Sequence, residues 1–136
     1  MLLTISFVEI QNLIKQKTQK DIRLSAIDRR TICASTSLSL LLIGTKEVKV
    51  QLTLEEITND FALLSYNNGL GVDLAIKGVL KYLEVQSNVS YVQGLSDNRI
   101  KIQFNQIPKV KEVLSKIVIQ NLSFLNENAV LEFKLK

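Results

Sequence analysis

The chain has 136 residues, 46% hydrophobic and 22% charged, with a net charge of +4. A chain of this size forms one domain that exposes roughly 7,100 Å² when folded, burying about two-thirds of its unfolded surface. Its apolar runs fall short of the ~20 residues of a spanning helix. The single cysteine cannot close an internal disulfide, and the lack of histidine removes imidazole bases, Ser–His and Cys–His nucleophiles and histidine-held metals.

Met1–Val8 is apolar but lacks the basic flank of a secretion signal, and Glu9 ends the run. The segment therefore reads as folded, and the chain as cytoplasmic. Glu9–Gln19 follows as a polar helix candidate. In residues 32–40, Ile32, Ala34, Thr36, Leu38 and Leu40 alternate with Cys33, Ser35, Ser37 and Ser39. In residues 47–55, Val48, Val50, Leu52 and Leu54 alternate with Lys49, Gln51, Thr53 and Glu55. A period of two with one wet face is a strand signal.

Residues 69–86 break that period. Val72, Ile76, Val79, Leu80 and Leu83 mark one face of a helix, widened by Leu70, Leu74, Ala75, Tyr82 and Val85. Asp73, Lys77, Lys81 and Glu84 leave a single narrow polar stripe, so apolar cover is expected over most of the circumference. Arg99–Phe104 resumes the strand period. Pro108–Ser115 is a third helix candidate, with Pro108 at the favourable first position. Ala129, Leu131, Phe133 and Leu135 form a last alternating strand. Turns are expected at 28–30, 44–45, 58–60, 96–98 and 126–128.

Sliding residues 5–38 onto 102–135 without a gap pairs Ile5 with Ile102, Phe7 with Phe104, Ile10 with Ile107, Ile22 with Ile119 and Leu38 with Leu135. The shared plan is strand, short helix, strand, turn, strand, which suggests an internal repeat. The expected fold is therefore a single α+β domain. A curved, mostly antiparallel sheet wraps one long apolar helix, flanked by two similar terminal β-α-β-β units.

Catalytic and cofactor motifs are missing. Gly69-Leu70-Gly71 does not complete a dinucleotide fingerprint and serves instead as a sharp entry to the long helix. Cys33 reads as a small packed side chain. Glu55, Glu56 and Asp60 bracket a turn as solvent-facing carboxylates rather than as a cation site. Arg29 and Arg30 sit in a turn, and the thinly spread arginines and aromatics do not make a nucleic-acid surface. Charge is more informative: residues 1–30 and 99–136 are net basic, and 31–98 net acidic. Lys109, Lys111 and Lys116 could then meet anionic head groups or an anionic membrane surface.

What remains is apolar volume. A broadly apolar helix at Gly69–Gln86, the strand Val48–Leu54 and the terminal units 5–38 and 102–135 together resemble the tubular lipid-binding (TULIP) superfamily. In size and in Ile/Asn/Lys-rich composition the chain is also similar to the small orfX-type proteins encoded beside clostridial neurotoxins. The resemblance rests on pattern across most of the chain, without a residue signature. It implies a curved sheet around a long helix, with lipid in the groove between them. The expected function is non-enzymatic binding of a lipid or apolar small molecule, without a cofactor. Val72, Ile76, Val79, Leu80, Leu83, Val50, Leu52 and Phe133 would line the groove. The alternative is a closed core in a structural or interaction subunit, assembling with itself or a partner protein through sheet edges.

Overall fold

The computed structural model describes residues 1–40, 44–69, 71–87 and 91–136; the side chains of residues 18, 38–40 and 82–87 fall outside the description. The chain is α+β and its strand pairs are antiparallel. In order, β1 (Leu2–Ser6), α1 (Phe7–Thr18), β2 (Arg23–Ala26) and β3 (Thr31–Leu40) precede the long strand β4 (Gly44–Ile57) and β5 (Phe61–Tyr66). Then come α2 (Val72–Ser87), β6 (Val92–Leu95), β7 (Arg99–Gln103), a 3-10 turn at Phe104–Gln106, α3 (Pro108–Leu114), β8 (Ile117–Leu125) and β9 (Asn128–Leu135).

The strands do not form one wrapped sheet, as expected from sequence, but two. One has the order β1-β9-β8 and the other β2-β3-β4-β5-β7-β6. The division follows from β1, which leaves the first terminal unit to pair with β9 of the second, Leu3 opposite Leu131 and Ile5 opposite Ala129. Alternation fixes which face of a strand is apolar but not which strand lies beside it.

Local chemistry explains where the elements start and stop. Ser6 and Glu9 form a capping box: the Ser6 hydroxyl accepts from Glu9 N–H at 3.1 Å, and Glu9 Oε1 accepts from Ser6 N–H at 3.4 Å. This starts α1 at Phe7, two residues before the expected Glu9. Gln19, at φ 58°, ends the helix in the left-handed region. A three-residue loop, Ser96 to Asn98, with positive φ at Asp97 and Asn98 closes the β6–β7 hairpin, and a two-residue turn with positive φ at Asn126 and Glu127 closes β8–β9. The expected turn at 44–45 adjoins residues 41–43, which lie outside the described residues, and Gly44 and Thr45 themselves pair with Leu40 and Ser39.

Helix α2 covers part of one face of the larger sheet. Val72, Ala75 and Ile76 pack on Val48, Val50, Leu52 and Tyr66, and Leu80 comes against Gly94 of β6. Gly71 makes the close entry possible. It has φ +78°, and a Cβ there would lie 2.9 Å from Val48 Cγ2. A second packing centre lies where α1 meets the smaller sheet: the Phe7 and Phe124 rings lie 6.3 Å apart and both side chains are buried. No described helix is long and apolar enough to cross a membrane.

Candidate apolar cavity

The smaller sheet has one strongly apolar face. Leu3 and Ile5 of β1 lie beside Ala129 and Leu131 of β9 and are followed there by Phe133. Ile117, Ile119 and Leu122 of β8 share that face although their numbers change parity. A register shift between Ile119 and Asn121 accounts for the change, because one extra residue turns the following side chains over.

Helix α3 lies opposite. Lys109, Val110, Val113 and Leu114, at helical spacing, turn to the same space as Phe104 and Ile57. Together these residues enclose an open cavity of about 630 Å³ in which, among the described residues, Lys109 is the one charged lining residue. The volume falls within the ~300–1,000 Å³ of typical small-molecule sites. Leu114 and Ile117 are buried at its back, while Leu3 (59% exposed) and Val113 (57%) stand at its mouth.

Asn59, in the β4–β5 turn, fixes the corner behind the cavity. Its Nδ2 donates to the carbonyls of Leu114 at 3.2 Å and Ile117 at 2.7 Å, and its Oδ1 accepts from Ile119 N–H at 2.8 Å. One side chain therefore satisfies the end of α3 and the first residues of β8. The 28–30 turn makes a second attachment. Phe124 N–H donates to the Arg29 carbonyl at 2.8 Å, and Arg30 Nε donates to the Leu54 carbonyl at 2.9 Å. Arg30, read from sequence only as a turn residue, thus holds backbone in place.

The residues expected to share one groove are separated. Val72, Ile76, Val50 and Leu52 meet in the packed core beneath α2. Val79 is 51% exposed, so the cover expected around the long helix is incomplete. Leu80 reaches β6, and the Leu83 side chain lies outside the described residues. Phe133 belongs to the other sheet and lines the cavity under α3. Of the three lysines, all exposed, Lys109 borders the cavity, whereas Lys111 and Lys116 do not line it. Among the described residues the helix that borders the cavity is α3, and no α2 residue lines it. Sequence reading placed Leu131 and Phe133 in apolar strands but passed over Leu3, Val110, Val113 and Leu122 as lining residues. The signal available was the period of two through Leu3 and Ile5 together with the helical spacing of Val110, Val113 and Leu114.

In comparison with known proteins, the chain matches no family model, no curated protein and no solved structure. Fold and cavity define its class: an antiparallel α+β domain with an open apolar cavity bordered by one lysine.

Proposed function

We propose that the chain is a non-enzymatic binding module for a single-chain amphiphile, an apolar tail with an anionic head. The cavity between the smaller sheet and α3 carries this reading, since its lining is apolar except for Lys109. The resemblance to the tubular lipid-binding superfamily points to the same ligand class, at a different place in the fold.

The energetics favour a tail with a charged end. Burying about ten methylenes gains ~8 kcal/mol, and association costs at least ~4 kcal/mol. The remainder, about 4 kcal/mol, corresponds to millimolar binding. A charge-assisted bond from Lys109 to a carboxylate or sulfonate, worth about 1 kcal/mol at this exposed position, strengthens it several-fold and sets the orientation, head outward.

Native mass spectrometry of freshly purified protein, compared with the denatured chain, is the direct test. A ligand-sized excess mass lost on denaturation is expected. Protein stripped of ligand should enhance the fluorescence of the anionic apolar dye ANS, and palmitic acid should displace it. Val113→Glu, at an exposed position on the cavity mouth, should weaken both by about tenfold through lost apolar contact and like-charge repulsion. Absence of excess mass together with dye binding that palmitic acid does not displace would refute the assignment.

A further inference from the structure

The slide that places Ile5 on Ile102 also places β1 (Leu2–Ser6) on β7 (Arg99–Gln103) and Phe7 on Phe104. The backbone contacts agree. Phe7 N–H donates across to the Glu127 carbonyl at 2.9 Å, and Phe104 N–H donates across to the Asp60 carbonyl at 2.8 Å. So β9 flanks β1 as β5 flanks β7. On the other side the two differ: β7 carries a further antiparallel strand, β6, with Gln103 N–H donating to the Tyr91 carbonyl at 2.7 Å, whereas among the described residues β1 ends its sheet.

We propose that the free edge of β1 is a self-association surface, on which β1 of a second copy pairs antiparallel about a twofold axis through Leu3. Met1 exchanges both backbone bonds with Phe133. By the alternation of an antiparallel ladder, Leu3 and Ile5 also face β9, while Leu2 and Thr4 turn their N–H and C=O groups outward. Ser6 is already committed, its N–H to Glu9 and its C=O, as helix cap, to the first turn of α1. The register that uses the free groups sets Leu2 opposite Thr4 of the partner subunit, and the reverse, closing four hydrogen bonds. Leu3 then meets Leu3 of the partner subunit, and Met1 meets Ile5 of the partner subunit, on the apolar face.

Three further observations favour a second copy of this strand. Leu2–Ser6 contains neither charge nor proline, the usual protections of an edge, so two copies meet without like-charge repulsion. Met1, Leu2 and Leu3 are 63%, 66% and 59% exposed. The whole chain exposes 9159 Å², about 2,000 Å² beyond the roughly 7,100 Å² of a compact monomer of its mass, and Met1 to Leu3 contribute to that excess. A test at Thr4 is separate from the ligand reading, because Thr4 lies on the strand face away from the cavity that Leu3 and Ile5 line.

Sedimentation velocity from micromolar to near-millimolar concentration tests the proposal on the whole chain. A concentration-dependent dimer is expected. Thr4→Pro removes an outward N–H without touching the β9 ladder, deleting two of the four bonds, and should raise the dimer dissociation constant about tenfold or more. The twofold axis has its own readout. Opposite residues at a non-hydrogen-bonded pair have Cα atoms ~4.5 Å apart, within disulfide reach. In a Cys33→Ser background, Leu3→Cys should therefore cross-link to a covalent dimer with oxidised glutathione, and Val79→Cys, similarly exposed, should not. A monomer throughout overturns the proposal. So does a dimer whose constant Thr4→Pro leaves unchanged, or cross-linking no faster at position 3 than at 79. If Thr4→Pro fails to fold, the cysteine pair decides.

Discussion

Replacing Asn59 with alanine removes one side chain and orphans three backbone groups. The carbonyls of Leu114 and Ile117 and the N–H of Ile119 lose partners at 3.2, 2.7 and 2.8 Å. Both carbonyls belong to residues only 9% exposed, so water replaces the amide poorly. At about 1 kcal/mol per bond, the loss is ~3 kcal/mol, a large share of a total stability of ~5–15 kcal/mol. In urea unfolding followed by circular dichroism, with a slope of about 1.5 kcal/mol/M, the midpoint should fall by roughly 2 M. Asn67→Ala is the control. Its Oδ1 accepts a single bond, from Gln51 N–H at 2.8 Å, and the cost should stay near ~1 kcal/mol. Asn59→Asp keeps the Ile119 bond but turns an acceptor toward two carbonyls. Protonation restores one donor, so part of its stability should be present below the unfolded carboxyl pKa of ~3.9 and be lost as pH rises above it. A loss below about 1 kcal/mol for Asn59→Ala would refute the view that this amide holds the corner behind the cavity.

Three further substitutions test separate links. Gly71→Ala forces a Cβ into a left-handed backbone and toward Val48; a loss of about 1–3 kcal/mol in the same urea assay is expected. Ser6→Ala breaks the capping box of α1 and should cost about 1 kcal/mol, with reduced helical ellipticity. Lys109→Met leaves the cavity apolar throughout. Fatty-acid affinity in the dye-displacement assay should fall about fivefold, while an alcohol of equal length should bind unchanged, which separates head-group recognition from loss of fold.

Much of the local structure was legible because it is written in nearest-neighbour chemistry. The alternation from Val48 to Leu54, the proline opening α3 and the turn residues at 96–98 and 126–128 each act within a few positions. The start of α1 was missed, because the reading followed hydrophobic period to Glu9 and passed over the Ser6-x-x-Glu9 spacing that carries the cap. Partnership between strands was not. Nothing local to Leu3 says that Leu131 will lie beside it. The shift between Ile119 and Asn121 further hides that Ile117 and Leu122 share a face. The long helix drew attention as the larger apolar signal, yet its strongest contacts close on Val48 and Val50. The shorter α3, with Lys109 beside Val110, carries the weaker pattern and the open cavity.

Exposed apolar side chains from the β1 edge, Met1 to Leu3, and from the cavity, Leu3 and Val113, meet at one residue. Leu3 belongs to both: it lines the cavity from β1 and stands at its mouth. A ligand tail would cover its side chain from the α3 side, and a second copy would flank it along the sheet. The two events therefore draw on one apolar surface: pairing takes its hydrogen bonds from the backbone of Leu2 and Thr4, while the Leu3 side chain serves both. Linkage then sets a sign. If pairing orders β1 against β9, the wall that a tail contacts is fixed in advance, and ligand affinity should rise with protein concentration. By the same reciprocity, saturating palmitic acid should lower the dimer dissociation constant of the wild-type chain and not restore pairing to Thr4→Pro. Sedimentation with and without ligand measures this directly. A dissociation constant that increases on ligand addition would mean that the tail displaces the partner copy, and that the two surfaces overlap at Leu3.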